Sequence, residues 1–146
     1  MVVTRLTRRA ALAALAGALV ARNAFATADQ ARDWIGAMAK GTPKDGKVVL
    51  KAPEIAENGN AVPLTVTVDS EMSEKSYVKA IYVAADGNPN PGVATFHFSP
   101  LAGKAEASTR IRLATTQNII AVAKTSKGEF FTSQKLVKVT IGGCGG

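Results

Sequence analysis

The only cysteine of this 146-residue chain, Cys144, stands near its end between two pairs of glycines, in the stretch Ile-Gly-Gly-Cys-Gly-Gly. A thiolate is a nucleophile and can hold a covalently attached group. Glycine has no side chain and permits most backbone conformations, so a thiol flanked by glycines can enter a narrow cleft of another protein. We therefore interpret Cys144 as a site of covalent substrate attachment on a flexible arm. The arm consists of this cysteine with Gly142, Gly143, Gly145 and Gly146.

The other reactive side chains do not form a catalytic set. His97 is the only histidine, and its place between two phenylalanines in a predicted strand favours a solvent-facing side chain. A metal site of the histidine and cysteine type needs several ligands, whereas the chain offers one of each, so we predict no metal site. The acids Asp69, Glu71 and Glu74 are expected to be solvated in a loop. Because no nucleophile motif, phosphate-binding loop or dinucleotide fingerprint occurs, we expect neither an enzyme nor a bound cofactor.

The first 26 residues have the features of an export signal. Arginines precede an apolar run at residues 10–21, and Ala24-Phe25-Ala26 fits the small-residue cleavage pattern, so we expect cleavage after Ala26. The run of 12 residues is too short to cross a bilayer of roughly 30 Å as a helix. The pair Arg8-Arg9 and the alanine-rich core favour the twin-arginine route. We therefore expect a periplasmic protein that is not anchored in a membrane.

The positive charge of the chain belongs partly to this leader. The formal net charge is +7, and four of the 18 basic residues are leader arginines with no acid beside them. The expected mature chain therefore carries 14 basic and 11 acidic residues, a net charge of +3. No stripe of basic residues with interleaved aromatics remains, which gives little support to nucleic-acid binding. A single cysteine excludes a disulfide within the chain, so it must stay free, be modified or pair between molecules.

The residues between the leader and the arm predict one β-rich domain, residues 27–141. Helical spacing of Ala31, Trp34, Ile35 and Met38 predicts a short helix over residues 28–40, with Trp34 packed on the core. Alternating and β-branched runs separated by turn signals then predict seven strands. These cover residues 47–50, 62–68, 77–84, 93–98, 106–113, 119–123 and 130–141. Because no long helix intervenes, we predict an antiparallel immunoglobulin-like sandwich, whose last strand runs directly into the arm at residues 142–146.

Several stretches resemble one protein family. Beyond the terminal Ile-Gly-Gly-Cys-Gly-Gly and the twin-arginine leader, they are residues 55–63 (IAENGNAVP), residues 88–91 (NPNP) and residues 109–117 (TRIRLATTQ). In these motifs the chain resembles SoxY, the sulfur carrier subunit of the periplasmic thiosulfate-oxidising Sox system. The resemblance extends over essentially the whole expected mature chain, and the cysteine and all four glycines are present.

The resemblance implies a carrier that works with separate enzymes. A c-type cytochrome of the SoxXA type would join thiosulfate oxidatively to Cys144 as a cysteine S-thiosulfonate. A SoxB-like hydrolase would release the terminal sulfone as sulfate. A SoxCD-like sulfur dehydrogenase would oxidise the remaining sulfane sulfur, and a second hydrolysis would free the thiol. The resemblance also implies a heterodimer with a SoxZ-like subunit.

Other interpretations of the tail remain open. The chain could be an exported, non-catalytic sandwich module that dimerises through an inter-chain disulfide at Cys144. A frayed terminus without a role is a second possibility. Ubiquitin-like sulfur carriers also end in Gly-Gly, but their thiocarboxylate chemistry needs ATP, which an exported protein lacks.

The leader gives the first testable prediction. Replacing Arg8 and Arg9 together by lysine should leave the precursor in the cytoplasm, because the arginine pair is read by a receptor and not by charge alone. Cell fractionation with an antibody to the domain measures this directly. Export at the unchanged level would instead assign the leader to the ordinary secretory route.

Overall fold

The computed structural model describes residues 26–143, so the predicted leader, apart from Ala26, lies outside the described residues. The described chain begins with helix α1, Ala28–Ala39, one residue shorter than predicted. Thr27 and Gln30 form a capping box, in which each side chain binds the other residue's backbone N–H and thereby starts the helix. Lys40 ends it in the left-handed conformation, with φ 51°.

Nine strands follow within the described residues. They are β1 (Lys44–Asp45), β2 (Val48–Lys51), β3 (Ile55–Asn58), β4 (Val62–Val68), β5 (Val78–Ala85), β6 (Gly92–His97), β7 (Ala105–Ile111), β8 (Gln117–Thr125) and β9 (Phe130–Ile141). Two single-turn 3-10 helices, Gly59–Ala61 and Pro100–Ala102, connect some of them. In this part of the chain no helix is both long and apolar enough to span a membrane.

The strands form two sheets. The larger sheet has the order β1-β9-β8-β5-β6, with β3 also paired to β9, and the smaller sheet has the order β2-β4-β7. The predicted immunoglobulin-like sandwich is confirmed, and each of the seven predicted strands has its counterpart. The structure adds β1 and β3, which both join β9 in parallel. Residues 55–58, outside all seven predicted strands, form β3.

The core lies between the two sheets. On β4 every second residue is buried, from Val62 to Val68, and the residues between them are partly or fully exposed. Ile81 of β5 and Val137 of β9 belong to the same buried cluster and are fully shielded from solvent. Burying such an aliphatic side chain contributes roughly 1.5–3 kcal/mol. This cluster holds the ends of β7, β8 and β9 in fixed relation to one another.

Helix α1 covers part of the outer face of the larger sheet. Ala31, Ile35 and Ala39 are buried there against a small cluster that includes Val122 and Phe130. Trp34 is only partly buried, and Met38, predicted on the packed face, is 40% exposed. The buried stripe therefore ends at Ala39 instead of Met38, because the helix meets a small patch of the sheet and not the main core.

Candidate functional site

The last strand brings the chain to the predicted arm. β9 is paired on one side with β8 and on the other with β3, and Asn58 lies opposite Ile141 at its end. Two further hydrogen bonds fix the same stretch: Lys138 N donates to Glu54 O at 2.9 Å, and Val139 N donates to Thr116 Oγ1 at 2.9 Å. The strand is therefore held along its length up to the first glycine of the tail.

Beyond Ile141 the chain remains attached to the domain. Gly143 is buried, and its N–H donates a hydrogen bond of 2.9 Å to Leu113 O. The N–H of Leu113 in turn donates to Gly59 O at 2.8 Å. Three backbone segments, at residues 59–60, 113–114 and 142–143, thus meet at one point. We call this meeting point the exit, because Cys144 is the next residue of the chain.

The exit has room for glycine only. A Cβ atom on Gly143 would stand 2.7 Å from Gly59 O, and one on Gly59 would stand 2.7 Å from Gly143 N and collide with Leu113 O. A Cβ on Gly142 would collide with Ala114 O. Real side chains do not approach backbone atoms so closely, so these three glycines allow main chains to touch. In this structure the absence of a side chain at these positions permits close packing of the main chains.

Two positions of the predicted arm lie against the domain in this structure, and the flexibility of the arm stays a prediction. Gly142 and Gly143 pack against the loop at residues 113–114 and, through Gly143, are tied to it by a hydrogen bond. Gly143 lies against Gly59, which is far away in the sequence, so no local pattern indicated this contact. Cys144, Gly145 and Gly146 lie outside the described residues.

A buried amide pair supports the loop from its other side. Asn88 is 1% exposed; its Nδ2 donates to Arg112 O at 2.8 Å, and its Oδ1 accepts from Ala114 N at 2.9 Å. Gln117 Nε2 donates to the same Oδ1 at 2.8 Å, and Gln117 Oε1 accepts from Gly87 N at 2.7 Å. Leaving a buried polar group without its partner costs about 1–3 kcal/mol, so this pair fixes the loop on which Gly143 rests.

Sequence reasoning missed the supporting residues, although a signal was present. Asn88 stands in the segment NPNP and Leu113 in TRIRLATTQ, two stretches that were noted only for their family resemblance. Ala26, the last residue of the predicted leader, is buried, and its N–H donates to Asn88 O at 2.8 Å. Cleavage after Ala26 would remove this bond, and the position of the cleavage site stays a prediction.

The other candidate side chains lie away from the exit. His97 is exposed at the end of β6 that is paired with Ala80, whereas the exit lies near the opposite end of the sheet. Asp69, Glu71 and Glu74 are exposed, as expected for solvated acids. Within residues 26–143, no three histidine, cysteine, aspartate or glutamate side chains lie close enough together to hold a metal ion.

The packing at the exit gives a second prediction. Gly59→Ala should lower the free energy of unfolding by about 1–3 kcal/mol, because its methyl group must displace Leu113 O or Gly143 N. Gly36→Ala is the matched control: the same methyl group meets nothing within 4 Å on helix α1 and should stabilise the protein by up to about 1 kcal/mol. Urea unfolding curves measure both. If both substitutions changed the free energy of unfolding by the same amount and in the same direction, the exit would not be tightly packed.

Solved structures place this architecture among known proteins. The sulfur carrier protein SoxY from Chlorobium limicola f thiosulfatophilum is 34% identical, with a TM-score of 0.66, over 79% of this chain and 100% of that chain. A putative superoxide reductase from Thermotoga maritima is 21% identical, with a TM-score of 0.58, over 66% and 93%. The superoxide reductase neelaredoxin from Ignicoccus hospitalis is 18% identical, with a TM-score of 0.58, over 79% and 94%. The two reductases share the fold alone.

Sequence comparison agrees with the first of these structures. No curated protein gave a significant match. The family model described as sulfur oxidation protein SoxY matches residues 32–144, which include the exit and the cysteine that follows it. Because this match covers well over half of the chain, the protein belongs to the SoxY family of sulfur oxidation proteins.

Proposed function

We propose that this chain is a sulfur carrier of thiosulfate oxidation that holds its intermediates covalently on Cys144. The observation that carries the proposal is the exit: the only cysteine directly follows Gly143, a residue bound by its backbone to Leu113 O. The family and the Chlorobium sulfur carrier support the same assignment. A thiol attached to a fixed point of a rigid sandwich can be offered to several enzymes in a reproducible position.

The proposed reaction cycle keeps the cysteine sulfur and exchanges what is bound to it. In the first step a new S–S bond forms between Cys144 and thiosulfate, and a partner cytochrome accepts the two electrons released. Hydrolysis then breaks the bond between the sulfane sulfur and the sulfonate, releasing sulfate and protons and leaving a persulfide. A sulfur dehydrogenase oxidises the outer sulfur to a sulfonate with three oxygen atoms from water, releases protons and accepts the electrons, which pass on to a further electron acceptor. A last hydrolysis releases this group as sulfate and frees the thiolate.

The exit sets how far this carrier can reach. An extended residue advances about 3.3–3.6 Å, so the chain allows Cys144 at most about one such step from bound Gly143. With the bond to Leu113 O intact, an enzyme must accept the exit region itself. Release of Gly142 and Gly143 would lengthen the reach to roughly 10 Å beyond Ile141. Because one hydrogen bond contributes only about 0.5–1.5 kcal/mol, a partner that binds the extended tail could supply this energy.

The proposed partners follow the family. They are a SoxZ-like subunit forming a heterodimer, and SoxXA-like, SoxB-like and SoxCD-like enzymes acting in turn on the loaded cysteine. The proposed compartment is the periplasm, reached through the leader at residues 1–26. A folded domain with a prebuilt exit suits the twin-arginine route, which carries folded cargo and could export a bound subunit with it.

The third prediction tests attachment directly. Intact-mass and peptide mass spectrometry of the exported protein, after thiosulfate and partner enzymes are added, should show a thiosulfonate or persulfide on Cys144. Cys144→Ser should carry neither adduct and should release no sulfate. Because the proposed attachment site projects from the domain, the free energy of unfolding should change by less than about 0.5 kcal/mol, the usual range for surface substitutions.

Two outcomes would contradict the carrier proposal. One is sulfate release by Cys144→Ser at the rate of the unchanged protein. The other is a protein in which an inter-chain disulfide is the sole modification of Cys144, which would favour the dimerising module instead. Unfolding of the serine variant would appear as a lower urea midpoint. This measurement distinguishes an unfolded variant from a folded one that lacks the attachment chemistry.

A further inference from the structure

Helix α1 begins at the bond that the cleavage pattern of the predicted leader marks for hydrolysis. This bond joins Ala26 to Thr27, and both residues belong to the described chain. Ala26 is only 5% exposed, and its N–H donates a hydrogen bond of 2.8 Å to Asn88 O. The last residue of the predicted leader is therefore packed against the domain that the leader would export.

Thr27, on the other side of the bond, is fixed by the start of the helix. Its N–H donates to Gln30 Oε1 at 3.0 Å, and its Oγ1 accepts from Gln30 N at 3.4 Å. Its carbonyl oxygen accepts from Ala31 N at 3.0 Å. The N–H groups of both residues that flank the bond thus have partners within the domain. We call the capping box and the hydrogen bond from Ala26 to Asn88 together the latch.

The residue that holds Ala26 is itself firmly placed. Asn88 is 1% exposed, and its side chain binds the backbone of residues 112–114. Four residues further on, Gly92 lies directly under Trp34 of the helix, where an added Cβ would stand 2.5 Å from the indole ring. The helix start and this segment are therefore held together at two points, and Ala26 leaves the domain only when its own contacts break.

A peptidase cannot use the bond while the latch is closed. The cleavage pattern demands a small side chain at position 26, because the peptidase must recognise that side chain. A methyl group that is 5% exposed is not available for recognition. Proteolysis of a folded protein then passes through a locally opened state, and its rate follows the fraction of molecules that are open.

We propose that the latch delays removal of the leader, so that the bond between Ala26 and Thr27 is cut only after this junction has left the domain. The inference rests on the export route proposed above. The reaction is simple hydrolysis: water adds a hydroxyl group to the Ala26 carbonyl carbon and a proton to the Thr27 nitrogen, and the C–N bond breaks. A domain that folds before export therefore keeps its leader until the junction opens.

Cleavage removes the latch permanently. Ala26 leaves with the leader, so Asn88 O loses its donor. The nitrogen of Thr27 becomes an ammonium group at the start of helix α1, where the free N–H groups already carry partial positive charge and a further positive charge is unfavourable. The latch therefore acts once, on the precursor, and has no role in the processed chain.

The experiment compares two substrates of a purified leader peptidase in detergent. One is the folded precursor of 146 residues, and the other is a synthetic peptide of residues 15–35, which carries the same bond without the domain. We expect the precursor to be cut at least about tenfold more slowly than the peptide, as for a bond that is accessible in about a tenth of the molecules or fewer. Mass spectrometry identifies the bond that is cut in each.

Gln30→Ala weakens the latch without changing the two residues that flank the bond. Because the Thr27 N–H loses its partner, the variant precursor should be cut about two- to tenfold faster, whereas a peptide with the same change should stay within about twofold. Gln134→Ala, at an exposed position on β9, is the matched control and should leave the precursor rate unchanged. Urea unfolding curves verify that both variants are folded.

Amide hydrogen exchange gives a measure that does not depend on the peptidase. The Ala26 N–H of the unchanged precursor should exchange at least about tenfold more slowly than that of the peptide, because it is bonded to Asn88 O. Gln30→Ala should lower this protection by the same factor by which it speeds cleavage, since both quantities report the open fraction.

Three results would overturn the latch proposal. The first is equal cleavage of the folded precursor and the peptide. The second is a peptide cut only at another bond, which the latch does not cover. The third is a slowly cut precursor whose rate Gln30→Ala leaves unchanged, since the delay would then have another origin. Each of them leaves the carrier function standing, because that function is tested by enzymatic loading of Cys144.

Discussion

The hydrogen bond from Gly143 N to Leu113 O determines where the domain ends and the tail begins. It forms because three glycine or loop backbones approach one another more closely than any side chain allows. The bond itself contributes only about 0.5–1.5 kcal/mol, but it acts at the residue directly before the only cysteine. If Cys144 is the attachment site proposed above, this bond fixes the residue that precedes it to the domain.

The core, strand β3 and a buried amide pair together hold the exit in place. The aliphatic core aligns the end of β9 with the end of β7, and β3 adds a parallel neighbour that brings Gly59 to the tail. The buried pair of Asn88 and Gln117 then fixes the loop that carries Leu113. Superoxide reductases share this fold at low sequence identity. The sandwich as such therefore does not specify which chemistry a chain with this fold performs.

Alternation of buried and exposed residues within single segments predicted most of the strands from the sequence. The alternation in residues 62–68 gave β4 with its observed bounds, because each strand face has one environment. β1 and β3 were missed, since β1 has two exposed residues and β3 buries only Ala56, so neither has a period to detect. Cys144 and its glycines were evident from composition. The binding of Gly143 was not, because it depends on Gly59, far away in the sequence, and on the absence of a side chain there.

Amide hydrogen exchange at Gly143, followed by NMR in the full exported chain, tests most directly whether the residue before Cys144 is bound to the domain. We expect the Gly143 amide to exchange at least about tenfold more slowly than an unstructured glycine. The Leu113 amide, bonded to Gly59 O, should be protected as well. Exchange of Gly143 at the rate of an unstructured peptide, with Leu113 still protected, would contradict it. The arm would then begin at Gly142, directly after β9, and the exit would have no part in positioning the thiol.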